Sequence, residues 1–149
     1  MKFFLRYWLP VMLWMCLIFG ASSDIKSVQH TDGMLGQIFR RLHINVTPDQ
    51  LEHVRFVVRK LAHMTEYGVL ALLVWRALRG PEHARGWSNK SAALALTICL
   101  LYAATDEFHQ AFVPGRSASV RDILIDTTGA ALALGFAALI TTRRARVTA

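Results

Sequence analysis

Charged residues are scarce in this chain. They make up 18% of 149 residues, against 54% apolar residues, and the mean hydropathy is +0.33. That balance excludes an ordinary soluble domain and suits the membrane class. Cysteine is nearly absent. Cys16 and Cys99 each sit inside an apolar stretch, with no CxxC or zinc-type spacing. They read as small buried hydrophobes and say nothing about redox compartment. There is no internal repeat, no low-complexity segment and no HExxH. No serine or cysteine stands beside a base at a legible spacing, so hydrolysis through a covalent intermediate is not indicated. Net charge is +7 and the pI about 10.1. A basic chain invites a nucleic-acid reading, but the cations form no patch interleaved with aromatics. They cluster between apolar stretches, as cytoplasmic flanks of spanning helices do, so nucleic acid is not expected as a partner.

Four apolar segments are present, over residues 3–22, 54–78, 92–113 and 123–141. A spanning helix needs roughly 20 mainly apolar residues. The fold expected is all-α, a single domain over residues 1–149. It is an integral membrane bundle of four transmembrane helices. A short amphipathic helix on the outer surface between the first two is expected from Leu35, Ile38, Phe39 and Leu42. The first segment also fits a signal peptide, with Lys2 and Arg6 before it and Gly20-Ala21-Ser22-Ser23 at its end. Trp8, Pro10 and Trp14 favour a retained helix. Lys2 and Arg6, then Arg76, Arg79, Arg85 and Lys90, then Arg143, Arg144 and Arg146 fall on one side of a four-span arrangement. Both termini are thereby expected in the cytoplasm of an inner-membrane protein. Arg40, Arg41, Arg55 and Arg59 oppose this, with Asp24, Asp32, Asp49 and Glu52 among them.

Helix ends are written in the sequence. Thr47-Pro48-Asp49-Gln50 combines an N-cap, proline at the first helical position and glutamine at N3. The second helix is expected to begin there, outside the membrane. Pro114-Gly115 stops the third, and Ser119-Val120-Arg121-Asp122 has the form of a capping box opening the fourth.

Polar residues interrupt these helices. Lys60, His63, Glu66 and Tyr67 occupy an arc of roughly 120° on the second. Tyr102, Asp106, His109 and Gln110 share a face of the third, with Glu107 about 100° away and expected to serve a different contact. Asp122 and Asp126 are one turn apart on the fourth, on a stripe continued by Gly129 and Ala133. Small residues at that spacing let a neighbouring helix approach, so this face is expected to point inward. With Arg116 in the intervening turn, three helices bring ionisable residues to one level, open to the outside. Plain readings stand beside this one. Lys60 and Arg59 can snorkel to the interface, Asp122 can be only a cap, and Tyr67 and Tyr102 can be interfacial belt residues. A lone histidine is usually a satisfied core residue. Coincidence at one depth favours a functional cluster, because a charge facing lipid costs several kcal/mol.

Lys60-x-x-His63-x-x-Glu66-Tyr67, Tyr102-Ala103-x-x-Asp106-Glu107-x-His109-Gln110, Pro114-Gly115-Arg116 and Asp122-x-x-x-Asp126, with Ser22-Ser23 before them, resemble the VanZ-like family over nearly the whole chain. The resemblance implies a four-helix bacterial membrane protein and a link to glycopeptide antibiotics, through the family namesake's association with teicoplanin resistance. It supplies no mechanism. The residues leave three readings open. The first is an enzyme acting on a lipid-linked or amphipathic envelope molecule at the outer leaflet. His63 or His109 would serve as general base, Asp106, Glu107 or Asp126 would orient it, Glu66 would join this catalytic set, and Lys60 and Arg116 would hold a phosphate or carboxylate. Tyr67, Gln110 and Asp122 would complete the ligand contacts. The second is a protein that binds or shields such a molecule, a lipid-linked precursor or a glycopeptide, without chemistry. The third is a proton- or ion-coupled carrier, for which four helices are few unless the chain oligomerises. Membrane lipids are expected partners in each. His63, Glu66, Asp106, Glu107 and His109 include metal-binding types, but Lys60 beside them disfavours a cation, so neither a metal nor another cofactor is expected.

Overall fold

The computed structural model describes residues 2–23, 37–43, 45–81, 86–113 and 118–147. Among the described residues the fold is carried by α1 (Lys2–Tyr7), α2 (Leu9–Ser23), α3 (Pro48–Arg79), α4 (Asn89–Gln110) and α5 (Val120–Val147). No strand occurs among the described residues, so the all-α expectation holds. Helical residues 37–41 are the described part of the expected amphipathic helix, whereas Leu35, Pro114, Gly115 and Arg116 lie outside the described residues.

The first expected segment is broken. Its two pieces meet at Trp8. Pro10 has no N–H to offer the Arg6 carbonyl one turn earlier, and the Arg76 guanidinium reaches that carbonyl at 3.5 Å. The other boundaries follow local chemistry. Thr47 Oγ1 accepts from the Gln50 N–H and the Gln50 side chain accepts from the Thr47 N–H, closing the capping box of α3. Gly80 ends α3 with φ +50°, against the Phe3 ring. The α4 helix stops at Gln110 rather than 113, followed by a turn. The α5 helix starts at Val120 and runs past 141 to Val147.

Contacts fix the direction of each helix. Lys60, His63, Met64 and Gly68 of α3 meet Asp122, Asp126, Gly129 and Ala133 of α5 in the same order, so these two run parallel. Trp14 meets Glu66 and Arg6 meets Arg76, so α1 and α2 run against α3. Met15 and Ser22 meet Tyr102 and Asp106, so α2 runs with α4. Direction therefore alternates along the chain.

The interior is made of small and medium residues at helical spacing: Leu70, Ala71, Val74 and Ala77 on α3, Ala95, Cys99 and Ala103 on α4, and Ala130 and Leu134 on α5. Val11 and Ile18 of α2 join it, with the larger Tyr7 of α1 and Tyr67 of α3. Gly129 lets the α5 backbone rest on that of Met64, with no room for a side chain. Large apolar residues point outward instead. Leu13, Leu61, Leu101 and Phe136 are each more than half exposed. Such a continuous apolar exterior marks contact with lipid or partners. Two helices, Asn89–Gln110 and Val120–Arg144, are long and apolar enough to cross a membrane. The 32-residue α3, roughly 48 Å long, has length to spare, but His63, Glu66 and Arg76 dilute its apolar run.

Candidate functional site

The seam between α3 and α5 holds the ionisable residues. Lys60 Nζ donates to Asp122 Oδ1 at 2.5 Å and lies over the Phe56 ring. Lys60 is thus paired inward and does not snorkel. One turn on, His63 Nδ1 lies 3.7 Å from Glu66 Oε2 and 4.0 Å from Asp126 Oδ1. The imidazole sits between two carboxylates, one on its own helix and one on α5. Asp126 is 3% exposed.

From α4, Glu107 joins this seam. Its Oε2 accepts from the Ser119 backbone N–H at 2.8 Å. In a capping box that N–H is taken by the N3 side chain, here Asp122. The substitution of Glu107 for this duty leaves Asp122 available to Lys60. Asp122 is therefore more than a cap. Lys60, His63, Glu107, Asp122, Ile125 and Asp126 line a cleft of about 170 Å³, counting the solvent at its mouth. Within the cleft itself the free space is about that of one water-sized group.

The remaining candidates face the other side of α4. The Ser22 hydroxyl donates to Asp106 Oδ2 at 2.7 Å, and Gln110 Nε2 donates to the same oxygen at 3.0 Å. The Tyr102 hydroxyl donates to the Met15 carbonyl, and the His109 ring packs 4.3 Å from that of Phe19. Tyr67 is fully buried, with its ring 6.1 Å from Tyr102, which rules it out as a belt residue. Tyr67 Oη, Asp106 Oδ1 and His109 Nδ1 are buried without a hydrogen-bond partner among the described residues.

The expected difference in direction between Asp106 and Glu107 is present, and the two meet different helices. Glu107, expected to make a contact distinct from that of Asp106, lines the cleft with His63 and Asp126, whereas Asp106, His109 and Gln110 turn to α2. Ser22 was missed as a polar partner. It is a serine hydrogen-bonded to a carboxylate, invisible to local spacing because 84 residues separate them. No three His, Cys, Asp or Glu side chains converge on a metal-binding position among the described residues.

This arrangement can hold a polar headgroup, and its histidine flanked by carboxylates can move a proton. The VanZ/LLP1 family model matches residues 7–141. The chain belongs to the VanZ/LLP1 family. No curated protein and no solved structure matches it. The VanZ/LLP1 match runs from α1 to within α5 and takes in both sides of α4, so Ser22, Asp106 and the cleft all belong to the matched region.

Proposed function

We propose that this VanZ/LLP1 protein is a four-span protein of the bacterial inner membrane, with both ends in the cytoplasm. Its cleft lies at outer-leaflet depth and binds, or acts on, the headgroup of a lipid-linked or amphipathic envelope molecule, in a role akin to glycopeptide resistance. The single observation that carries this is the convergence of Lys60, His63, Glu107, Asp122 and Asp126 from three helices on one cleft, two of them nearly fully buried. Ionisable groups at membrane depth are costly and mark function. Four spans are supported by the alternation of helix direction and by exposed apolar residues on every one of the helices α2 to α5. The helix a signal peptidase would remove supplies Val11 and Ile18 to the core and Ser22 to Asp106, which supports its retention.

Within the site, His63 is the group suited to acid–base chemistry. The carboxylates of Glu66 and Asp126 flank its imidazole at 3.7 and 4.0 Å, and histidine is the commonest general acid or base. Lys60 and Asp122 form a fixed wall of the cleft rather than a free anion hook. If the site only binds, His63→Ala weakens it in a graded way; if it catalyses, the same change abolishes turnover. The test of the reading is extraction of the protein in native lipid followed by mass spectrometry. An envelope amphiphile is expected with the wild type and absent from Asp126→Asn. Identical bulk phospholipid in both would refute it.

A further inference from the structure

On the reading that the cleft receives an amphiphile's headgroup, its lining decides which charge it accepts. Lys60 and Asp122 neutralise each other across 2.5 Å. Glu107 and Asp126 remain, 4% and 3% exposed, and no second lysine or arginine lines the cleft among the described residues. Arg121, next to Asp122, is exposed. One Glu107 oxygen is taken by the Ser119 N–H. Asp126 accepts no hydrogen bond among the described residues, and His63 Nδ1 faces its Oδ1 at 4.0 Å. A buried carboxylate that lines a cleft, accepts no hydrogen bond and has only a histidine at 4.0 Å is an electrostatic deficit that a cation relieves and an anion worsens.

We propose that the cleft takes a cationic headgroup, a primary ammonium on an amphiphile, rather than the phosphate or carboxylate that Lys60 first suggests. Count of donors agrees with this. An ammonium has three N–H groups to place. The two oxygens of Asp126 and the second oxygen of Glu107 are three acceptors. The space agrees too, since an opening of about one water's size admits an ammonium nitrogen but not a sugar phosphate. Phe112 and Val120, each more than 70% exposed, give a tail apolar surface at the ends of the two helices that carry Glu107 and Asp122.

The experiment uses the full chain in phosphatidylcholine nanodiscs, with binding read by native mass spectrometry. Dodecylammonium, dodecyl phosphate and dodecyl glucoside share a tail and differ in headgroup charge. Dodecylammonium is expected to bind at least tenfold tighter than the other two, and Asp126→Asn to remove that preference, with Glu107→Gln as the second variant. Equal binding of all three, tighter binding of the phosphate, or an undiminished preference in both variants overturns the proposal. In those cases an amphiphile site remains. If none of the three binds, the headgroup reading itself fails along with it. The comparison of headgroups on the wild-type chain decides even where a variant does not fold.

Discussion

Replacing Gly129 with alanine tests the close approach on which the cleft depends. A Cβ there would lie 2.6 Å from Met64 Cα and 2.7 Å from its carbonyl carbon. Both are backbone atoms, so no rotamer change relieves the clash. Carbon atoms pack at roughly 3.5–4.0 Å, so α3 and α5 must separate by about an ångström. Overpacking of this kind costs about 1–3 kcal/mol, and a collision with backbone belongs at the upper end. For a chain of this size that is roughly 6–12 °C in unfolding midpoint. The same shift opens the Lys60–Asp122 and His63–Asp126 approaches on that seam. Gly135, on the same helix, has nothing within 4 Å of its added Cβ. There the change only improves helix propensity, by up to roughly 1 kcal/mol. Thermal unfolding in detergent, followed by circular dichroism, is expected to show Gly129→Ala melting earlier than wild type and Gly135→Ala no earlier. Equal midpoints for Gly129→Ala and wild type would refute the packing argument.

Other substitutions probe the rest. Lys60→Met alone strands the Asp122 carboxylate, while Lys60→Met with Asp122→Leu removes both charges; the double variant is expected to unfold at higher temperature than the single. Ser22→Ala leaves Asp106 Oδ2 with only the Gln110 amide and is expected to cost about 1–3 kcal/mol, read as an earlier midpoint and faster proteolysis of the first helix. Thr47→Ala removes the cap of α3 and is expected to cost about 1 kcal/mol in the same unfolding assay, with no loss of ligand binding, because it lies three turns from Lys60.

Much of the scaffold was legible because its signals are local. The Thr47–Gln50 box marks the start of α3 within four residues, and the glycine stripe at Gly129 and Ala133 marks the face that packs on it. What depends on long-range pairing was not legible. A helical wheel puts Asp106 and Glu107 about 100° apart, but it carries no information on which neighbour fills each direction. The neighbour of Glu107 proved to be the start of α5, and that of Asp106 the end of α2. The break at Trp8 was a partial exception. Pro10 was in plain view, but an apolar run of this length conceals a missing hydrogen bond unless each carbonyl is followed to its donor. The signal of the spare Ser119 N–H was likewise local, while its acceptor was not.

The claim that the cleft opens outward at one end of a spanning α5 is tested most directly by thiol labelling in intact cells. Asp122→Cys and Thr142→Cys are placed separately in a chain with Cys16→Ala and Cys99→Ala, so each carries one thiol near one end of α5. A membrane-impermeant maleimide is expected to label the thiol at 122 from outside and to reach that at 142 only after permeabilisation. Labelling of 142 in intact cells, with 122 protected until the membrane is opened, would contradict the orientation and place the cleft on the cytoplasmic side.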